Sequence, residues 1–256
     1  QNELPMAVTR PRLLTISTNY PSQATPVFGT FVRSWTEALA EHLDVTVICP
    51  VPWLPGLGRL PRYEHRARIA AREVQQGIEV LFPRFPFVPR LGRSLYACTI
   101  FLRLLPLVRR MHRNRPFDVL LGHFAYPEGV AAILLGQALS VPVAIAVRGY
   151  DLHLLPRVRA LRWQIRFALR RAARVFAVSS DLARHAVALG ASSDRVRTVP
   201  NAIDPAVFHP LDRSQCRQAL GLPPSGRLVL GVGRLSEEKC WPQLIQAFAD
   251  LRQNRR

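Results

Sequence analysis

Lysine is almost absent: Lys239 is the single lysine of 256 residues, although lysine and arginine together number 35 against 17 acidic residues. The formal charge of +18 is therefore an arginine excess. Genome composition produces such a bias as readily as function does, so part of this charge carries no functional message. The remainder keeps polyanionic partners in view: nucleic acid, an anionic membrane face or phosphorylated ligands. Cysteine is scarce too. Cys49, Cys98, Cys216 and Cys240 stand apart with no C-x-x-C pair, which argues against a thiolate zinc site or a redox dithiol and fits thiols in a reducing compartment. Long apolar runs are also missing. Leu95–Val108 is broken by Arg103 and Pro106, and Phe117–Val147 by His123, Glu128 and Gln137, so neither supplies the ~20 apolar residues of a membrane span. Residues 1–11 lack the apolar centre of a signal peptide. No Asp-x-Asp pair is present.

What remains is globular: 48% apolar and 20% charged residues give ample material for a core. Short apolar runs at Leu13–Ser17, Val45–Cys49 and Ile78–Phe82 read as strands, with a helix over Phe31–Leu43 between the first two. Residues 51–76 read as a Pro-, Gly- and Arg-rich excursion with a helical end, 83–93 as another Pro- and Arg-rich loop, and Ser94 to about His112 as an amphipathic helix. Alternation then becomes regular. Strands are expected at Val119–Gly122, Val141–Val147, Val175–Val178 and Val196–Val199. Helices are expected at Pro127–Leu139, about Arg157–Ala173 and from a Ser179 or Ser180 cap to a stop at Gly190. Strands buried on both faces and separated by helices imply an α/β fold with a doubly wound parallel sheet over residues 1–200. From residue 201 prolines accumulate as in a linker. A new strand at Leu228–Val232 and a helix from Trp241 to Leu251 then read as the start of a second, incomplete Rossmann-like domain over 201–256.

The segment G231-V-G-R-L-S-E-E-K239 joins a strand, two glycines and a helix start, where free N–H groups can meet a phosphate. Arg234 and Lys239 add a forked donor and a compact charge. As a dinucleotide fingerprint it fails at the third glycine, where Ser236 stands. It resembles instead the donor-phosphate loop of family-4 glycosyltransferases, retaining enzymes of the GT-B fold, and the one lysine falls at that loop's lysine. V178-S-S-D181, G190 and V196-R-T-V-P-N-A-I-D204-P-A-V-F208-H-P210 are similar to the family's junction between domains, with Asn201 and Asp204 at the hinge and Ala202 replacing a usual glycine. D118-V-L-L-G-H-F-A-Y-P-E-G129 resembles the acceptor-side strand-to-helix turn, although Leu121 stands where a second histidine is frequent. R148-G-Y-D151 resembles a later turn. N19-Y-P-S-Q-A-T-P-V-F-G29 resembles the first loop, with Gly29 alone of a usual glycine pair. Cys240 occupies another position where glycine is common.

The resemblance implies a GT-B-like enzyme that moves a sugar, with retention, from a nucleotide-sugar donor to a glycan or lipid-linked acceptor. It implies work in cell-surface polysaccharide assembly at the cytoplasmic face of the membrane. The nucleotide sugar is a substrate, so no cofactor is expected. No metal is expected either, since Gly29, Gly231, Gly233, Arg234 and Lys239 would hold the donor phosphates and the two cations would stabilise the departing diphosphate. His123, Arg148 and Asp151 are the catalytic candidates. His123 ends a strand at the ligand-binding edge, but a satisfied core histidine stands beside that reading, and for Asp151 a helix cap does. Arginines at 159, 162, 166 and 170, with the basic run 84–115, suit an anionic membrane surface or simply a solvated face. A nucleic-acid-binding protein and a nicotinamide-dependent oxidoreductase are the rivals. The first lacks any reading module, so no nucleic-acid partner is expected; the second lacks its third glycine. With the second domain incomplete, the 256-residue chain is expected to be inactive alone.

Overall fold

Every residue of Val143–Val147 is buried, and the residues divide by size. Val143, Ile145 and Val147 enter one apolar core, Ala144 and Ala146 another. Side chains of a strand alternate between faces, so this segment lies inside a sheet covered on both sides. The computed structural model describes residues 10–54, 56, 64–87 and 92–253. They belong to two compact units, Gln1–Ala202 and Ile203–Arg256.

The first unit runs β1 (Arg12–Ile16), α1 (Thr30–Ala40), β2 (Asp44–Ile48), β3 (Val51–Trp53), α2 (Glu64–Ala67), β4 (Arg72–Gln75), β5 (Ile78–Leu81) and β6 (Arg84–Pro86). It continues α3 (Tyr96–Asn114), β7 (Val119–His123), α4 (Val130–Leu139), β8 (Val143–Val147), α5 (Tyr150–His153), α6 (Arg159–Arg171), β9 (Arg174–Ala177), α7 (Ser180–Ala188) and β10 (Val196–Thr198). Eight strands form one sheet in the order β10-β9-β8-β7-β1-β2-β5-β4. Winding proceeds one way from β1 to β2 and the other way from β7 to β10. Helices α3, α4, α6 and α7 cover one face, and α1 covers the other through Val32, Trp35 and Leu39. In α6, Leu161, Ile165, Ala168 and Leu169 recur at helical spacing and point inward, leaving the arginines between them outside.

The α/β, parallel-dominated sheet agrees with the sequence, and four local expectations need correction. Residues 72–75 form a strand, antiparallel to β5 at the sheet edge, with Gln75 facing Ile78. Gln76 and Gly77 both have positive φ (49° and 80°), the conformation of a two-residue hairpin turn. Within the two excursions, β3 and β6 pair in parallel, too short and proline-rich to show a period. The expected strand at Leu228–Val232 does not form. The described residues of the second unit contain α8 (Arg213–Ala219) and α9 (Trp241–Gln253) and no strand. A strand is defined by its ladder, and without a partner this segment stays irregular, with Leu230 and Val232 about four-fifths exposed. The helix expected from Pro127 begins at Val130 because Ala125–Gly129 makes a wide, irregular turn in which Tyr126 is extended.

Helix α7 shows how a single side chain starts an element. Ser179 is extended, and its hydroxyl accepts from the Leu182 N–H at 3.2 Å. At the other end Gly190 has φ +109°, and the Ala191 and Gly190 amides donate back to Ala186 and Val187, a Schellman closure. Ser179→Ala should therefore lower stability by about 1 kcal/mol. Urea unfolding measures this, and an unchanged midpoint would show that the cap bond is worth nothing here.

Candidate functional site at the switch point

Because winding reverses between β1 and β7, the loops leaving their carboxyl ends diverge and open a crevice, the usual ligand position in doubly wound sheets. One cavity of about 500 Å³ lies beside the loop after β1, lined by Thr18, Asn19, Tyr20, Phe28, Pro52 and Arg66 among others. A second of about 250 Å³ lies across Thr18 and Asn19 from it, walled by Phe87, Tyr96, Phe124 and Tyr150 and bordered by Glu128.

Glu128 bridges the two divergent loops. One carboxylate oxygen accepts the Thr18 N–H at 2.9 Å and also the Thr18 hydroxyl. The other, Oε2, has no partner among the described residues. Burial pushes this carboxyl up to about 7, against the opposing pull of the Thr18 hydrogen bonds. Glu128 was not among the sequence candidates, although an acid inside an otherwise apolar strand-to-helix segment was a signal for it.

His123, the last residue of β7, is completely buried. Its Nδ1 lies 2.9 Å from the Arg148 guanidinium, its ring meets Trp35 edge-on, and its Nε2 has no partner among the described residues. Burial, then the Arg148 charge, holds the imidazole well below its ordinary pKa, so it is neutral. Arg148 covers it. The guanidinium lies over Trp35 at 4.6 Å and Phe31 at 5.3 Å, and it also donates to Asn201 Oδ1. Burial lowers its pKa to about 10, which leaves it cationic at neutral pH. Asp151 is buried as well. Its carboxylate accepts main-chain N–H bonds from Ala125 (2.7 Å), Gly149 (2.9 Å) and Arg148 (3.1 Å), fastening the loop after β8 to the loop after β7. Asp151 does not cap α5: Gly149 holds the cap position, no side chain caps the helix, and Asp151 sits in its first turn. The sequence candidates His123, Arg148 and Asp151 come together in one cluster, joined by Asn201, which had been assigned to the hinge alone.

Gly29 stands at the start of α1 with φ +75°. A Cβ there would lie 2.4 Å from the Asn19 carbonyl oxygen, so the glycine lets α1 close onto the first loop. Packing within the chain accounts for it without a ligand.

In the second unit, a Cβ on Gly231 would lie 2.5 Å from the Trp241 ring, and the Trp241 indole N–H donates to the Arg234 carbonyl at 2.7 Å. The loop thus folds around the first residue of α9. Lys239 closes a 3₁₀ turn, Glu237–Lys239, and its stem runs 3.8 Å from where a Gly233 Cβ would be. Cys240 adopts the left-handed conformation (φ 52°, ψ 39°), which explains why glycine suits this position. Asp204 makes a local turn, its carboxylate accepting the Ala206 N–H at 2.9 Å. Gly231, Gly233, Arg234 and Lys239 therefore share one loop around Trp241 in the second unit, while Gly29 belongs to the first.

These features define a Rossmann-like α/β protein with its candidate site at the sheet's switch point. Residues 28–202 match the Glycosyl transferase 4-like domain, and the chain belongs to that family. It is 28% identical over 246 residues to TuaC of Bacillus subtilis, named for teichuronic acid biosynthesis, covering 94% of this chain and 62% of TuaC. It is 25% identical over 152 residues to the N-acetyl-alpha-D-glucosaminyl L-malate synthase of Bacillus anthracis, covering 59% of this chain and 40% of that protein. The chain thus spans about three-fifths and two-fifths of these relatives. Sucrose-phosphate synthase of Thermosynechococcus elongatus shares the fold, with a TM-score of 0.57 at 12% identity over 83% of this chain and 53% of that one.

Glu128 makes stability depend on pH. Its folded pKa is raised from 4.5 to about 7, so its contribution is fully present below pH 4.5 and is lost as pH rises through 7. Integrated, the loss is about 3 kcal/mol. Glu128→Gln should gain that much on the wild type between pH 5 and pH 8 in parallel urea titrations. A pH-independent difference between the two would show that the carboxyl titrates normally.

Proposed function

We propose that the protein is a retaining glycosyltransferase that transfers a sugar from a nucleoside-diphosphate donor to a glycan or lipid-linked acceptor. The observation that carries this reading is the conjunction, in a Glycosyl transferase 4-like chain, of a switch-point crevice in the first unit with the G231–K239 loop in the second. The crevice suits the acceptor: its aromatic walls offer stacking faces for sugar rings, and Asn19, Thr18 and Tyr150 offer polar groups. Arg234 and Lys239 suit the donor. As the glycosidic bond to the diphosphate breaks, negative charge grows on the departing oxygen, and fixed cations lower the barrier. His123, neutral and backed by the Arg148 cation, is suited to accept a hydrogen bond from a sugar hydroxyl once the Arg148 cover shifts. Asp151 acts as a positioning residue that holds the Arg148 loop.

The relatives' names, teichuronic acid biosynthesis in particular, support a place in cell-surface polysaccharide assembly. Among the described residues no helix is long and apolar enough to cross a membrane. Contact with an anionic membrane would come from α6 and the start of α3. Trp163 is 70% exposed, stacks on Phe167 and borders an apolar groove of about 540 Å³ with Leu95. Arg159, Arg162 and Arg170 of the same helix are exposed. A helix that exposes both an aromatic side chain and arginines suits the headgroup boundary of an anionic bilayer.

Two measurements test this. In a transfer assay of a full-length version with a panel of nucleoside-diphosphate sugars, Lys239→Ala should cost roughly 2–4 kcal/mol in kcat/KM, and chelator should leave turnover unchanged. Unaltered turnover in the variant removes the lysine from the chemistry, and activity that manganese alone restores refutes catalysis by protein cations. The protein should also co-sediment with phosphatidylglycerol vesicles and release as salt rises. Equal binding to phosphatidylcholine vesicles would refute the electrostatic docking.

A further inference from the structure

Helices α5 and α7 follow neighbouring strands, β8 and β9, at the same edge of the sheet, and each presents an imidazole to the other. His153 and His185 pack edge to face with ring centres 4.6 Å apart. Asp181, one helical turn before His185, lies against both: its Oδ2 is 3.4 Å from His185 Nδ1 and 3.6 Å from His153 Nε2. One donor atom from each of the three residues fits within a sphere of contacts no longer than 4.8 Å. The other carboxylate oxygen, Oδ1, is held by Arg184 at 3.0 Å, which turns Oδ2 toward the imidazoles. All three side chains are roughly half exposed.

We propose that His153, Asp181 and His185 bind a divalent transition metal of the zinc class. The distances carry the argument. Zinc binds imidazole nitrogen and carboxylate oxygen at about 2.0–2.1 Å, so neighbouring donors of a tetrahedral site stand about 3.3 Å apart. The two carboxylate–imidazole separations match that edge, and the remaining His–His separation closes by a small ring rotation at exposed side chains. Two nitrogens and one oxygen select zinc, cobalt, nickel or copper over magnesium and calcium, which require mostly oxygen. At present His185 Nδ1 sits 3.0 Å from the Asp181 carbonyl oxygen, a contact that metal binding exchanges for coordination. The adjacent Arg184 cation weakens the site, so binding is moderate and reversible, with water completing the shell. The metal's effect is mechanical: it staples α5, whose first turn carries the Asp151 fastening, to α7. Sequence gave no sign of it because His153 comes 28 residues before Asp181, outside any ligand-spacing signature. The site lies wholly within the first unit and does not depend on the proposed transfer reaction.

Isothermal titration of the full chain with zinc chloride tests the proposal, after alkylation of the thiols so that the exposed Cys98 and Cys240 do not compete. One zinc should bind per chain and raise the thermal midpoint, while magnesium should do neither. His153→Ala and His185→Ala should each weaken binding by at least about tenfold, the loss seen when even outer-shell partners of a metal are removed. Their midpoints without metal should match the wild type, since both rings are exposed. His153→Gln and His185→Gln, which keep the side-chain volume, should show the same loss. Absence of zinc binding by the wild type, equal affinity in all variants, or magnesium binding of equal strength would each overturn the proposal.

Discussion

The reversal of winding between β1 and β7 is the constraint from which the site follows. Chain leaving β1 turns back on one face through α1, and chain leaving β7 turns back on the other through α4. Their loops must part, and the gap between them must be bridged or filled with water. Glu128 bridges it, reaching the Thr18 amide and hydroxyl, neither of which carries a compensating positive charge. A carboxyl in that position is costly when ionised, which is why burial raises its pKa to about 7. The crevice floor is thus apolar on most sides, with a proton that exchanges near neutrality.

Most of the sheet was legible because buried parallel strands write themselves as short apolar runs between helical patterns. Val143–Val147 is the clearest case, and Ser179 with Gly190 marked both ends of α7. The rest was set by strand pairing rather than by composition. Residues 72–75 carry charge and no apolar run, and their strand exists because the Gln76–Gly77 turn lays them along β5. Conversely, Leu228–Val232 has the composition of a strand and no ladder among the described residues. Composition proposes a strand, but a neighbouring strand makes one.

The candidate site was legible in the same uneven way. Positions at strand ends could be picked out by rule, and His123, Arg148 and Asp151 do meet at the carboxyl edge. Their burial could not be foreseen, since it depends on Phe31 and Trp35 of α1 and on Asn201, from two other segments. Gly29 offers a similar lesson. A glycine before a helix invites a phosphate, yet the atoms that need its missing side chain are Asn19 and Tyr20 of its own chain. Glu128, Thr18 and the His153–Asp181–His185 cluster were missed for the opposite reason: each is an ordinary residue made special by its neighbours.

Arg148 connects these themes. A guanidinium stacked on Trp35 and Phe31, bonded to His123 and to Asn201, is held by groups from α1, β7 and the segment that ends the first unit. Its backbone is fixed in turn by Asp151. Asn201 is the next-to-last residue of that unit, so any change in the path of the chain at Ala202 acts first on the Asn201–Arg148 bond. Loss of that bond would leave the arginine held by stacking and by one contact to a neutral imidazole. A cation over an aromatic face is worth about 0.5–2 kcal/mol, so stacking on two rings and the bonds to His123 and Asn201 share the work of holding the guanidinium. Through that one side chain the buried histidine is tied to the segment that ends the first unit.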